Sequence, residues 1–135
     1  MYNIKYLRAK IPDLLGKVLV NIKVSSNDDE ILFATTEGKV FLLKHDQSCC
    51  ESVVIESIVG DLADLIGEPL TAAEVSSKPS GLEAEESSTW TFYKFATCKG
   101  YVDIRWLGES NGYYSEEVDF FEVTGTEKEK EIVTK

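Results

Sequence analysis

Residues 105–119, RWLGESNGYYSEEVD, bring a guanidinium, an amide, three aromatic rings and four carboxylates together around one Asn-Gly turn. Acid–base work by Glu116, Glu117 and Asp119 would follow the glycosidase pattern, in which two carboxyl groups face each other across a scissile bond. Adjacent residues on a strand point to opposite faces, however. Glu116-Glu117 are therefore expected to form a solvated acidic edge, which also discourages unwanted strand pairing. Nucleophilic catalysis would need the only histidine, His45, in LLKHDQSCC, together with Cys49 or Cys50 and Asp46. Such a pair can activate a thiol, but these residues crowd one turn, whereas catalytic pairs are usually assembled from separate elements. His45 is expected to be a turn residue beside two buried thiols.

Metal and cofactor chemistry find less support. One histidine, no spaced cysteine pair and no DxDxDG loop leave no set of metal ligands. Neither GxxxxGK[ST] nor GxGxxG occurs, so no phosphate loop and no cofactor is expected. Binding without catalysis is what remains, and an enzyme is not expected.

The elements that must position these residues come from an internal repeat. DLLGKVLVNIKVSS (13–26) matches DLIGEPLTAAEVSS (64–77) at seven of fourteen positions, and FATTEGKV (33–40) matches FATCKGYV (95–102) at five of eight. The offset grows from 51 to 62 between these blocks. Eleven extra residues must therefore lie in the Pro-, Gly-, Ser- and Glu-rich stretch between them, an inserted surface loop at about 78–88. SCCESVVIE (48–56) aligns more loosely with NGYYSEEVDFFE (111–122).

The expected fold class is α+β: two internally repeated four-stranded antiparallel units, about 13–58 and 64–122, with short helices, packed as one domain over 1–123. Unit one would hold strands near 17–24, 29–36, 39–45 and 52–58. Unit two would hold them near 69–76, 89–97, 100–107 and 114–122. A short helix over 61–66 would be capped by Asp61 and ended by Gly67 and Pro69. Glu37-Gly38 and Lys99-Gly100 suit tight hairpins. The tail 124–135 is helix-prone but isolated, so it is expected to be helical or frayed.

Alternation assigns faces. Val102, Ile104 and Trp106 point to the core, and Tyr101, Asp103 and Arg105 point away. Tyr114, Val118 and Phe120 are expected inside, with Glu117, Asp119 and Phe121 opposite. Trp90 and Phe92 are also assigned to the core. A polar and aromatic face containing Tyr101, Arg105, Asn111 and Tyr113 results.

Bulk properties limit the partners. At 135 residues one domain with a sizeable core is expected. The net charge of −10 opposes a nucleic acid polymer, whose binding needs Lys and Arg in bulk to release counterions. A small anion is compatible, because two or three local cations and backbone N–H groups can hold one phosphate. No apolar run reaches 18 residues, so no membrane span is expected. MYNIKYLRAK has no apolar signal-peptide core, which points to the cytoplasm. Cys49, Cys50 and Cys98 lack zinc or CxxC spacing, and adjacent Cys49 and Cys50 do not easily bridge. All three are expected as reduced thiols serving as small core residues.

The blocks CCESVVIESIVGDLADLIG and STWTFYKFATCKGYVDIRWLGESNGYYSEEVDF, with the spacing between them, resemble a domain family of phages and prophages over about residues 13–122. Within it the chain looks like the anti-Thoeris proteins of the first described type, which sequester cyclic ADP-ribose signals made by bacterial TIR-domain immune sensors. The resemblance implies binding without turnover, a homodimer or hexamer with ligand between protomers, and cyclic di- or trinucleotides as further ligands. It places the protein in the cytoplasm of an infected bacterial cell. Carried over, Tyr101 would stack the adenine, Asn111 would hold the ribose and Arg105 the phosphate, with Tyr113 and Lys99 as weaker candidates. The other reading is an acidic protein-interaction module that inhibits a host protein.

Overall fold

Residues Gly100–Ser110 show why this chain is built from strands. Val102, Ile104 and Trp106 are buried while Tyr101 and Asp103 are exposed, a period of two that only extended backbone gives. The strands are β1 (Lys5–Arg8), β2 (Leu19–Val24), β3 (Glu30–Thr35), β4 (Val40–Lys44), β5 (Ser52–Val59), β6 (Ala72–Ser80), β7 (Ser87–Thr97), β8 (Gly100–Ser110) and β9 (Asp119–Thr124). This computed structural model describes residues 5–47, 49–80, 87–111 and 114–124. The expected tail, the centre of the expected insertion and Tyr113 lie outside the described residues.

The α+β expectation is corrected: the described chain is a mostly-β protein. Its only helical segments are two four-residue 3-10 turns, Ile11–Leu14 and Leu62–Leu65. The second starts as the sequence suggests, since the Asp61 side chain accepts from the Ala63 N–H at 3.0 Å. Neither turn propagates, because glycines at left-handed φ follow at once, Gly16 at +80° and Gly67 at +91°. Four-residue turns cannot form a helical layer.

Two antiparallel sheets result. Sheet 1 has the order β1-β9-β4-β3-β2 and sheet 2 the order β5-β8-β7-β6. The expected division into two separate four-stranded units does not describe this pairing. Strands β2–β4 and β6–β8 are successive hairpins, but β5 follows the first set and joins the second, while β9 follows the second and joins the first. Each meander is thus completed by a strand from the other half of the chain. Lys78–Ser80 and Ser87–Ser88, expected in a loop, belong to the β6–β7 hairpin, with Ser80 opposite Ser88. The last strand begins at Asp119, later than expected.

The sheets pack face to face. Phe33, Phe41, Leu43 and Phe120 of sheet 1 meet Val53, Tyr93, Phe95, Val102, Ile104 and Trp106 of sheet 2 in one apolar cluster. The rings of Phe33 and Phe95 lie 5.5 Å apart across the interface, and Phe41 stacks on Phe120 at 5.4 Å. Fully burying one such side chain contributes about 1.5–3 kcal/mol. Leu14 and Leu65, equivalent in the two repeats, seat both 3-10 turns on this core.

Candidate functional site

Sheet 2 has an outward face carrying polar and aromatic side chains in cross-strand rows. Ser57, Arg105, Phe92 and Ser76 form one row, and Val59, Asp103, Lys94 and Glu74 the next. Between them opens a groove of about 460 Å³. Phe92 is 38% exposed and Tyr101, further along β8, is 58% exposed.

Local backbone irregularity shapes this face. The pairing of β5 with β8 shifts between Ile55 and Ser57, leaving Glu56 as the extra residue of a bulge. Strict alternation would turn Ser57 inward and Ile58 outward. The bulge lets Ile58 pack on the core while Ser57 lines the groove. It also sets Glu56 against Arg105, whose Nε lies 3.1 Å and Nη2 2.8 Å from Glu56 Oε2. A second Nη2 contact reaches Oε1 at 2.9 Å. The guanidinium sits 5.0 Å over the Trp90 ring, and Lys94 lies 5.6 Å over Tyr101. Arg105 is therefore held by a carboxylate on one side and a ring face on another.

The four described candidate residues do not converge. Tyr101 and Arg105 share the outward face of β8, roughly 13 Å apart at ~3.3 Å per residue. Lys99 turns away, its Nζ donating to the Ile66 carbonyl beside the second 3-10 turn. Asn111 follows the far end of β8, roughly 20 Å beyond Arg105 and 33 Å from Tyr101 on the same spacing. Tyr113 lies outside the described residues. Phe92 and Lys94 in the groove, with Glu56 and Trp90 beside Arg105, are the residues that sequence reasoning missed. Trp90 and Phe92, assigned to the core, prove to face outward, because the core takes the alternate residues Thr91, Tyr93 and Phe95. The run Trp-Thr-Phe-Tyr-Lys-Phe puts rings on both faces and hides its own alternation.

The carboxylates of the opening stretch are not a solvated edge. Glu116 is buried, and its Oε1 accepts from the Thr89 hydroxyl at 2.7 Å and its Oε2 from Ser110 at 2.5 Å. Burial raises the Glu116 pKa, but hydroxyl donation from Ser110, Thr89 and Ser87 outweighs it, leaving the pKa below the ordinary glutamate value. Asp119 is also buried and pairs with Arg8 at 2.8 Å. These contacts clasp the segment after β8 to the sheets. Phe121, expected opposite Phe120 on an exposed face, is buried too, with Tyr6 and Arg8 against its ring.

His45, expected at a turn beside two buried thiols, is itself buried just past the end of β4, while the two cysteines are exposed. Its Nδ1 lies 2.6 Å from the Glu117 carbonyl oxygen, which can only accept, so Nδ1 carries hydrogen. Its Nε2 lies 2.6 Å from Glu51 Oε2. The cysteines are corrected as well: Cys49 and Cys50 are exposed and joined by a disulfide, and Cys98 is an exposed free thiol. They sit in the β4–β5 connection and the β7–β8 turn, which places them outside the core.

Among the described residues, no three potential metal ligands cluster and no helix is long and apolar enough to cross a membrane. Comparison with curated proteins gave no match. Comparison with solved structures gave none either. A family model matches residues 12–120, nearly the whole described fold, and the chain belongs to that family, a domain of unknown function designated DUF7448.

Proposed function

We propose that this protein binds a small phosphate-bearing nucleotide of the cyclic ADP-ribose type in the outer groove of sheet 2 and sequesters it without turnover. In an infected bacterial cell such a sponge would lower the signal made by TIR-domain immune sensors, the anti-Thoeris activity. Cyclic di- and trinucleotides fall in the same ligand class. The groove itself carries the reading. Its volume of about 460 Å³ lies within the ~300–1,000 Å³ common for small-molecule sites. It offers a guanidinium fork for phosphate at Arg105, an ammonium at Lys94 and a ring at Phe92, with Tyr101 nearby. The resemblance of the sequence blocks to anti-Thoeris proteins supplies the ligand's identity. A homodimer or hexamer would let a second copy contribute the amide that Asn111 does not bring to its own groove.

Calorimetry with cyclic ADP-ribose isomers and a cyclic dinucleotide tests the proposal, followed by heat release and chromatography of the ligand. Tight binding with intact ligand recovered is the expected result. Ligand consumed over time would make the protein an enzyme instead. No heat with any of them would favour a second reading, an acidic interaction module for a basic host protein. The local charges favour that alternative: Arg105 and Lys94 stand among Glu56, Glu74 and Asp103, two cations against three carboxylates.

A further inference from the structure

Arg105 lines the groove, yet its fork is already taken. Glu56 holds it through three contacts of 2.8–3.1 Å, and Trp90 supports the guanidinium from its face. Glu56 is the extra residue of the β5 bulge, and Ser57 takes the place directly opposite Arg105. The bulge re-aims Ser57 into the groove while Glu56 keeps its outward direction beside Arg105.

We propose that Glu56 limits the affinity of this groove for anions by competing with the ligand for Arg105. The inference rests on the groove being an anion site, as argued above. Both side chains are substantially exposed, 44% for Arg105 and 35% for Glu56, and an ion pair this wet is weak. It breaks cheaply. Breaking it nevertheless sets a threshold that each incoming anion must exceed. A free carboxylate has the same two-oxygen bite as Glu56 but lacks the high effective concentration that covalent attachment gives. It loses the competition. A phosphate or pyrophosphate carries more charge and more acceptor oxygens, so it takes the fork. Trp90 keeps the guanidinium plane in place during the exchange, so the incoming group meets a preorganised donor pair. The groove thus rejects simple carboxylates and admits phosphorylated ligands.

The test is titration calorimetry of the wild-type protein and Glu56→Gln with cyclic ADP-ribose, pyrophosphate and citrate, at low and moderate salt. Unchanged thermal unfolding would establish that the exposed substitution leaves the fold intact. The expected result is pyrophosphate binding about 2- to 5-fold tighter in Glu56→Gln, the range set by an exposed ion pair. Citrate should gain by a similar factor, because both probes must open the same ion pair. Wild-type binding of pyrophosphate or cyclic ADP-ribose with no gain in Glu56→Gln would overturn the competition while leaving the groove as a binding site. No binding of any probe by either protein would overturn both.

Discussion

The amide of Gly67 donates to the carbonyl oxygen of Leu19 across 2.9 Å. Fifty-one residues earlier in the chain, Gly16 donates to Leu70, also at 2.9 Å. Since Leu19 and Leu70 are themselves separated by 51 positions, the two bonds are one contact made twice, each repeat using the other as its partner. Both glycines take left-handed φ and both leucines are buried. The bonds tie the entry of each meander to the other.

Glycine replacements at the turns should therefore rank by surroundings. Gly16→Ala meets open space and suffers only the backbone penalty, roughly 1 kcal/mol. Gly60 combines a φ of +112° with the Tyr101 carbonyl 2.6 Å from where a Cβ would sit. Gly60→Ala should cost several-fold more, since backbone cannot give way as a side chain can. Urea midpoints of the two variants measure the order, and equal losses would contradict the packing described at Gly60.

Gly108 carries a similar constraint without unusual φ. A Cβ there would lie 2.5 Å from the Glu116 carbonyl oxygen and 2.8 Å from its Cβ. Gly108→Ala should push the 114–118 segment off the sheet and cost about 1–3 kcal/mol. Loss of stability together with faster amide exchange at residues 114–118 is the expected signature.

Removing one partner of the buried His45–Glu51 pair leaves the other desolvated and short of one contact. His45→Ala should cost about 3–5 kcal/mol, comparable to much of a small domain's stability. Guanidinium unfolding measures this. A loss under 1 kcal/mol would mean the pair is not closed in solution.

Acid should loosen the clasp at Glu116. Its pKa is lower folded than unfolded, so the stabilisation is present above the ordinary glutamate range and disappears as pH falls through the folded value. The stability gap between wild type and Glu116→Gln should be constant near pH 7 and close on acidification below about pH 4. Glu116→Ala, which removes the carboxylate that accepts from Thr89 and Ser110, should lose about 1.5–3 kcal/mol at neutral pH. Denaturation series at fixed pH steps read both effects.

Ligand contacts give the sharpest contrast. Arg105→Ala should weaken nucleotide binding about 10- to 100-fold, the worth of a charge-assisted contact. Phe92→Ala should also weaken it if a base stacks there. Asn111→Ala should leave the affinity of an isolated chain unchanged, because this residue lies beyond the end of β8. A loss at Asn111 that appears only in oligomeric fractions would assign it to a neighbour's groove.

Some of this arrangement is legible in the residues alone. The alternation of β8 separates Val102, Ile104 and Trp106 from Tyr101, Asp103 and Arg105, and the structure places them on those faces. Asp61 and Gly67 mark both ends of a turn that forms where they stand. What stays hidden depends on pairing. Likeness between repeats says nothing about which sheet β5 or β9 will join. The bulge at Glu56 breaks the period on which face assignment relies. Glu116 looks like a surface acid because the hydroxyls that satisfy it come from Thr89 and Ser110, on neighbouring strands.

The exchange of closing strands also sets a schedule for synthesis. The β2–β4 meander emerges first but stays without its neighbour until β9 appears, near the end of the chain. Until then its β4 edge is open. A partial chain of this kind can recruit β9 from another molecule or wait on the ribosome, because sheet 1 does not close without it. Sheet 2, whose strands β5–β8 are consecutive, can pair earlier. Late completion of sheet 1 is therefore built into the topology. Nascent chains arrested before residue 119 should be protease-sensitive across β2–β4, with protection gained there once β9 is free to pair.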